Sequence, residues 1–180
     1  MVDWIKELVF ALWILIPAYA ANGFPPLAKG IYPIDFGKNF IDGRRWLGKG
    51  KTFKGFFFGV AMGVLLGALE SYLYITQSGF ENIFGLKFPT MNLTIAFLIS
   101  FGALFGDLCG SFIKRRMGME SGADAPLLDQ LNFVVGALVF SYWFTEISIW
   151  MILIMIIITP ILHRLASIIG YKLKIKKNPW

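Results

Sequence analysis

Long apolar runs alternate with short polar and basic stretches along this chain. Five runs stand out, each near the roughly 20 residues that a helix needs to cross the hydrocarbon core of a membrane. They predict helices over about 4–21, 55–76, 91–113, 127–144 and 147–172. The pattern therefore predicts an all-α integral membrane protein, a single transmembrane domain over residues 1–180 with about five transmembrane helices.

The sequence allows alternatives at two places, the boundary between the fourth and fifth runs and the first run. Only Thr145-Glu146 separates the fourth run from the fifth, and the two together are too long for one span, so a hairpin of two helices is predicted. Ala18-Tyr19-Ala20 fits a signal-peptidase site after the first run. However, acidic residues accompany Lys6 at the start of the chain and leave no positively charged region there, so a retained membrane helix is predicted.

Basic residues predict the orientation in the membrane. All lysines and arginines except Lys6 and Lys87 fall in loop 22–54, in loop 114–126 with its flanks, or at the C-terminal end. Five spans place these three regions on one side, and the positive-inside rule makes that side cytoplasmic. We therefore expect the N-terminus outside, the C-terminus inside, and a glycine-rich cytoplasmic loop between the first two helices.

Composition narrows the chemistry that such a protein can perform. The chain is 57% hydrophobic with a net charge of +6, and it has one cysteine, Cys109, and one histidine, His163. Neither an internal disulfide nor a zinc site built from cysteine and histidine is possible within one chain. A metal ion bound here would be a hard cation held by oxygen ligands, such as Mg²⁺.

The stretch GKGKTFKG, residues 48–55, is similar to the end of a nucleotide-binding P-loop. A P-loop needs a glycine five residues before Gly50, where this chain has Arg45, and it needs a preceding strand, which is missing. Lys51, Thr52 and Gly55 could still bind phosphate, and Thr52 could cap the second helix. Taken alone, the stretch fits a basic flank of a membrane helix better than a binding site.

The third run contains an acidic residue, Asp107, in an otherwise apolar helix. A carboxylate inside a membrane costs about 2.5–3.5 kcal/mol to insert, so it indicates function or a structural hydrogen bond to a neighbouring helix. Ser111 and Lys114 follow at helical spacing on the same face. Glycines every four residues offer a surface on which another helix can approach closely: Gly102, Gly106 and Gly110.

The fourth run adds a second acidic residue, Asp129, with Asn132 on the same face. Both enter the membrane from the cytoplasmic side, level with the basic residues 114–116 that end the third run. Two carboxylates on adjacent antiparallel helices can hold Mg²⁺ against phosphates, while arginines and lysines hold the remaining phosphate oxygens. The alternative for residues 114–116 is a purely topological anchor.

Together these stretches resemble one family. PAYAANGFPPLAKG, FIDGRRWLGKGKTFKGF and FGDLCGSFIKRRMGMESGADAPLLDQLNF resemble the archaeal CDP-archaeol synthases over most of the chain. The chain is more distantly similar to the CDP-diacylglycerol synthases, whose Ser-x-x-Lys-Arg element matches residues 111–115. It departs from their Asp-Arg-x-Asp ending, because Gln130 and Asn132 follow Asp129.

The resemblance implies a reaction in which CMP passes from CTP to an unsaturated diether glycerol phosphate, with Mg²⁺ as cofactor and release of pyrophosphate. It implies CTP, a membrane-embedded isoprenoid diether phosphate and the lipid bilayer as partners, no nucleic acid, and an active site on the cytoplasmic side of the cell membrane. Asp107 and Asp129 would hold the metal, and Lys114 and Arg115 would act with them in catalysis. The residues expected to bind CTP or phosphate are Arg44, Lys51, Thr52, Gly55, Ser111 and Arg116, and the further candidates are Asn22, which could instead cap the first helix, Asp42, Asp124 and Asn132.

Two other classes of membrane protein share single features with this sequence. Asp42-Gly43-Arg44-Arg45 is similar to the start of the CDP-alcohol phosphotransferase motif, but the later pair of aspartates is missing. A small ion or phosphate transporter would use intramembrane acidic residues. A transporter gives no reason for a glycine- and lysine-rich loop, nor for polar groups gathered on one side, so the cytidylyltransferase hypothesis is preferred.

Overall fold

The computed structural model describes residues 2–76 and 85–175. These residues form five α-helices, which we label α1 (Trp4–Gly23), α2 (Phe53–Ile75), α3 (Leu93–Arg116), α4 (Leu128–Ser141) and α5 (Ile149–Lys172). Short 3₁₀ turns follow α1 and α4, at Pro25–Ala28 and Tyr142–Phe144. The predicted all-helical fold is confirmed; Lys176 and Lys177, which entered the orientation argument, lie outside the described residues.

Four of the five helices, α1, α2, α3 and α5, are long and apolar enough to cross a membrane. Helix α4 has only 14 residues, so it rises about 21 Å, less than the roughly 30 Å of a hydrocarbon core. Its 3₁₀ extension and the segment up to Ser148 separate it from α5, so the predicted division into two helices is confirmed.

Side chains in front of four helices accept hydrogen bonds from the backbone of the first turn. Asp3, Thr52, Asn92 and Ser148 occupy these N-cap positions. The Thr52 hydroxyl accepts from the backbone N–H of Gly55 at 3.1 Å, which confirms the predicted cap of α2. Each cap satisfies a backbone donor that the helix itself leaves free.

Helices α3 and α4 approach almost backbone to backbone. A Cβ atom added to Gly106 would lie 2.2 Å from the carbonyl oxygen of Asn132, and one added to Gly136 would lie 2.2 Å from that of Gly102. No side chain larger than hydrogen fits at these positions without moving a helix. The close approach predicted from the glycine spacing of α3 is thus confirmed.

Helix α2 also approaches its neighbours α1 and α3 closely through glycines. A Cβ atom at Gly59 would lie 2.5 Å from the carbonyl oxygen of Ala21 in α1, and one at Gly67 would lie 2.3 Å from the Cβ of Ala96 in α3. Helix α1 packs against all four other helices and supplies much of the buried core. The outer faces of α2 and α5 expose large apolar side chains such as Leu65 and Ile157, as lipid-facing helices do.

The loop between α1 and α2 is ordered by one buried carboxylate, Asp35, whose side chain is fully inaccessible. Arg45 donates two hydrogen bonds to it, at 3.1 and 2.5 Å. The backbone amides of Gly37, Leu47 and Gly48 donate three more, at 3.0, 3.2 and 3.0 Å. Asp35 therefore ties the middle of the loop to the segment that leads directly into residues 48–52.

These contacts also fix the charge of Asp35. Burial alone disfavours the carboxylate, but the Arg45 guanidinium and the three backbone amides outweigh it and lower the pKa of Asp35 to about 2. Since the carboxyl group of an unfolded chain has a pKa near 3.9, the ionised group stabilises the loop above about pH 4. This contribution disappears as the pH falls through the folded value.

We expect Asp35→Asn to loosen loop 24–52 at neutral pH. The lost contribution is about 2 kcal/mol, equivalent to a roughly 30-fold increase in amide exchange at Leu47 and Gly48. Hydrogen-exchange mass spectrometry would measure it, and the unmodified protein should lose the same protection as the pH falls from about 4 toward 2. Asp42→Asn is the control, because Asp42 accepts from one guanidinium and one amide; equal exchange in both variants would contradict the central role of Asp35.

Candidate active site

The loop that Asp35 orders lies against the end of α3, and an ion pair joins them. Lys51 reaches from the loop to the carboxylate of Asp107, one of the two predicted metal ligands. Both side chains are partly accessible, at 30% and 19%. The structure therefore brings together the GKGKTFKG stretch and the intramembrane acidic residue, although 56 positions separate Lys51 from Asp107 in the sequence.

A second ion pair joins α3 to α4. The Lys114 ammonium lies 2.8 and 2.9 Å from the two carboxylate oxygens of Asp129. It also donates to the carbonyl of Ala123 at 2.8 Å, and Asp129 accepts from the backbone N–H of Ala125 at 3.0 Å. Lys114 is almost buried, whereas Asp129 keeps about a quarter of its side chain accessible.

Arg116 clamps the first loop onto α3. Its guanidinium contacts Asp42 and donates to the carbonyls of Arg44 and Arg45, the latter at 2.6 Å. It stacks between the rings of Phe40 and Phe112, with its central carbon 4.8 and 4.9 Å from their centroids. Two predicted site residues, Arg116 and Asp42, therefore bind each other in this structure.

Arg44 closes the same contact from the other side. It donates to the carbonyls of Arg116 at 2.7 Å and Arg115 at 3.5 Å, at the C-terminal end of α3. A cation is favourable there because the last carbonyls of a helix carry partial negative charge. Arg44 thus donates from the loop to α3, and Arg116 donates from α3 to the loop.

A cavity of about 270 Å³ opens beside these arginines. Three arginines and four uncharged residues line it: Arg44, Arg45, Arg115, Gly48, Gly118, Met119 and Ser121. Arg115 is the cation here whose charge is least satisfied. It is 6% exposed, its Nε has no hydrogen-bond partner, and no ion pair within residues 2–76 and 85–175 involves it. A buried guanidinium in that state is suited to an anion of several charges, such as a phosphate chain.

The remaining predicted residues lie around this centre. Thr52 and Gly55 are buried and bond to each other in the cap of α2, and Ser111 is buried on α3. Asn22 lies in the last turn of α1, where the backbone N–H of Phe24 bonds to Ala20. The predicted cap at Asn22 is wrong, because Phe24 takes the C-cap position and the prolines that follow have no N–H with which to continue the helix.

Asn132 lies between α3 and α4, facing Gly110. Its amide oxygen and nitrogen are both buried, and neither has a hydrogen-bond partner in the described part of the chain. Such unpaired groups cost free energy unless a ligand or water meets them. The amide oxygen is thus a third hard donor in the region of Asp107 and Asp129.

These donors fit a magnesium ion that arrives with its substrate. In the described ranges, no cluster of three or more carboxylate, histidine or cysteine side chains is present. Mg²⁺ is usually held by one or two carboxylates together with substrate phosphates and water, rather than by an all-protein cage. Two aspartates, a free amide oxygen and nearby cations for phosphate satisfy that requirement.

Sequence analysis missed three residues that shape this region: Asp35, Arg45 and Arg164. Asp35 and Asp42 are the only acidic residues of a strongly basic loop, and that imbalance was a signal that each would be paired. Arg164 lies on α5, 3.1 Å from Asp124 in the loop after α3. Forty residues separate that pair, so no local pattern could have revealed it.

Comparison with known proteins gives the family. The CarS-like family model, described as CDP-archaeol synthase, matches residues 3–180. A CDP-archaeol synthase of Methanococcus maripaludis is 42% identical over 178 residues, covering 99% of both chains. That of Methanocaldococcus jannaschii is 45% identical over 175 residues, covering 97% of this chain and 98% of its own.

A solved structure agrees with these relatives. It is described as an intramembrane enzyme for archaeal membrane lipids biosynthesis, and it is 35% identical with a TM-score of 0.75. The match covers 89% of this chain and 94% of that one. By sequence and by fold, the chain belongs to the CDP-archaeol synthase family.

Proposed function

We propose that this enzyme transfers CMP from CTP to the phosphate of 2,3-bis-O-geranylgeranyl-sn-glycerol 1-phosphate, giving CDP-archaeol and pyrophosphate. The observation that carries the proposal is the arginine-lined cavity next to two carboxylate–lysine pairs, at one end of a membrane-spanning bundle. Family membership supplies the reaction. The geometry supports the assignment of roles within it.

The chemistry requires positioning rather than a base. An oxygen of the lipid phosphate attacks the α-phosphorus of CTP, a new P–O bond forms, and the bond to the β-phosphate breaks, so that pyrophosphate leaves. The nucleophile is already an anion, and the main barrier is charge repulsion and alignment. Cations around the phosphates therefore supply most of the catalysis.

The chain's own residues divide this work. Arg115 in the cavity would bind the β- and γ-phosphates, and Lys51 would move from Asp107 to the triphosphate. Lys114 would hold the phosphate that reacts. Arg44 and Arg116 position the loop over the site. Asp107 and Asp129, with the amide oxygen of Asn132, would hold Mg²⁺, which neutralises charge on the reacting phosphates when it is bound.

Purified protein should incorporate CMP from CTP into the geranylgeranyl diether phosphate only when Mg²⁺ is present. Asp107→Asn and Asp129→Asn should each lower kcat at least about one hundredfold, the scale of losing one electrostatic contact to a transition state. Product formation and pyrophosphate release would be measured together in detergent. Melting curves of each variant would show that the protein is still folded.

The matched control is Glu146→Gln, an exposed acidic residue in the segment between α4 and α5. It should keep nearly full activity. Absence of transfer to this lipid and to phosphatidic acid would overturn the proposed reaction. Near-normal turnover in either aspartate variant would overturn the metal assignment alone.

We expect Lys51→Ala to raise the KM for CTP about tenfold, because one charge-assisted hydrogen bond to phosphate is lost. Steady-state kinetics at saturating lipid would measure it. Lys54→Ala is the control: Lys54 lies three residues away in the first turn of α2 and is exposed. If both variants change the KM for CTP equally, Lys51 contributes only general positive charge.

We also propose that the site faces the cytoplasm, because the basic residues gather at its end of the bundle. A reporter active only in the cytoplasm should work when fused to the C-terminus, which α5 brings to that end, and fail when fused to the N-terminus. The opposite result would show that the site faces the outside of the cell.

A further inference from the structure

A second cavity, of about 350 Å³, lies between the loop after α3, the start of α4 and the middle of α5. Its lining is Asp124, Pro126, Gln130, Pro160, Ile161 and Arg164. No residue is shared with the arginine-lined cavity. The two cavities are therefore separate, although residues of the loop after α3 line both of them.

The loop segment that lines the second cavity also contacts the Lys114–Asp129 pair. Lys114 donates to the carbonyl of Ala123, and Asp129 accepts from the N–H of Ala125. Asp124, which lines the cavity, is the residue between these two contacts. The cavity therefore borders the loop segment that contacts Lys114 and Asp129, and Gln130, which also lines the cavity, directly follows Asp129.

The polar part of the cavity is suited to a phosphate. Arg164 lies 3.1 Å from Asp124, and their side chains are 44% and 30% exposed. An ion pair this accessible is weak and exchanges readily, whereas a phosphate can accept two parallel hydrogen bonds from a guanidinium. Gln130 accepts from the backbone N–H of Leu127 through its oxygen, which leaves its amide N–H groups able to donate.

The other part of the cavity is apolar and continues onto a lipid-facing helix. Pro160 and Ile161 belong to α5, whose exposed side chains nearby are Ile157 and Leu165. Pro160 has no N–H to donate to the preceding turn, which weakens the helix where it borders the cavity. In a ligand with a phosphate and isoprenoid tails, the phosphate would bind Arg164 and the tails would lie along α5.

We propose that this cavity receives the lipid substrate and that Arg164 binds its phosphate, releasing Asp124 as it does so. The inference rests on the proposed function and adds to it. CTP enters the arginine-lined cavity from the water, and the lipid phosphate enters from the α5 side. The two phosphates meet at Lys114 and Asp129.

The test measures the KM for each substrate in detergent micelles, varying the mole fraction of geranylgeranyl diether phosphate at saturating CTP and then the reverse. Arg164→Gln should raise the KM for the lipid about tenfold to one-hundredfold, the range for a charged hydrogen bond, and leave the KM for CTP unchanged. Arg164→Lys should show a smaller defect, because it keeps the charge and loses the paired geometry.

Two controls separate phosphate binding from other roles of Arg164. Lys172→Gln removes another exposed cation of α5, in its last turn, and should not raise the KM for the lipid. Asp124→Asn removes the carboxylate that competes with the lipid phosphate while keeping Arg164, so it should not raise the KM for the lipid. A defect in Asp124→Asn equal to that of Arg164→Gln would show a structural pair and overturn the inference.

The inference would also be overturned if Arg164→Gln left the KM for the lipid unchanged. It would be overturned too if Lys172→Gln raised that KM by the same factor. These outcomes are distinct from failure of the proposed function, in which the unmodified protein transfers no CMP to any lipid phosphate.

Discussion

Charges at the edge of a bilayer must be neutralised by other charges, and this constraint holds the functional end of the bundle together. Lys51 with Asp107 ties the first loop to α3, and Lys114 with Asp129 ties α3 to α4. Removing one partner would leave the other ion partly buried and unpaired, which costs free energy. The loop cannot leave α3, nor α3 leave α4, without that cost.

The same pairs suit the chain to substrates that carry both signs of charge. A magnesium ion and a phosphate chain together offer a cation for each aspartate and an anion for each lysine. Exchange of partners therefore leaves no charge unpaired, whereas either substrate component alone would. Under the proposed function, this gives a physical reason for Mg²⁺ to enter with the triphosphate rather than occupy a resident cage.

Sequence analysis predicted the parts of the fold that local patterns encode. The apolar runs placed the helices to within a few residues at most ends, and the glycines of α3 predicted its close contact with α4. Gly59, Gly63 and Gly67 repeat at the same spacing in α2, and they could have predicted its contacts with α1 and α3 as well. Such signals are readable because a helix repeats its faces at fixed intervals.

The partners of individual charges could not be predicted in the same way. The basic character of the loop indicates that Asp35 has a partner, but not that it accepts five hydrogen bonds, because these come from both sides of a loop without periodic structure. Arg116 was expected to bind substrate phosphate, but in this structure it bonds to carbonyls of the first loop. Only the folded loop decides which cations are occupied and which, like Arg115, remain available.

The position of the site follows from how α3 and α4 end. Helix α3 finishes with Lys114, Arg115 and Arg116 in its last turn, and α4 begins with Asp129 in its first. Each charge is favoured by the dipole of its own helix, cations at a C-terminus and anions at an N-terminus. The glycine contacts bring these opposite helix ends side by side. The basic residues of α3 therefore lie next to Asp129 of α4 without a separate binding domain. A lipid phosphate can react there while its charge stays at the membrane edge, so the enzyme never has to move that charge into hydrocarbon.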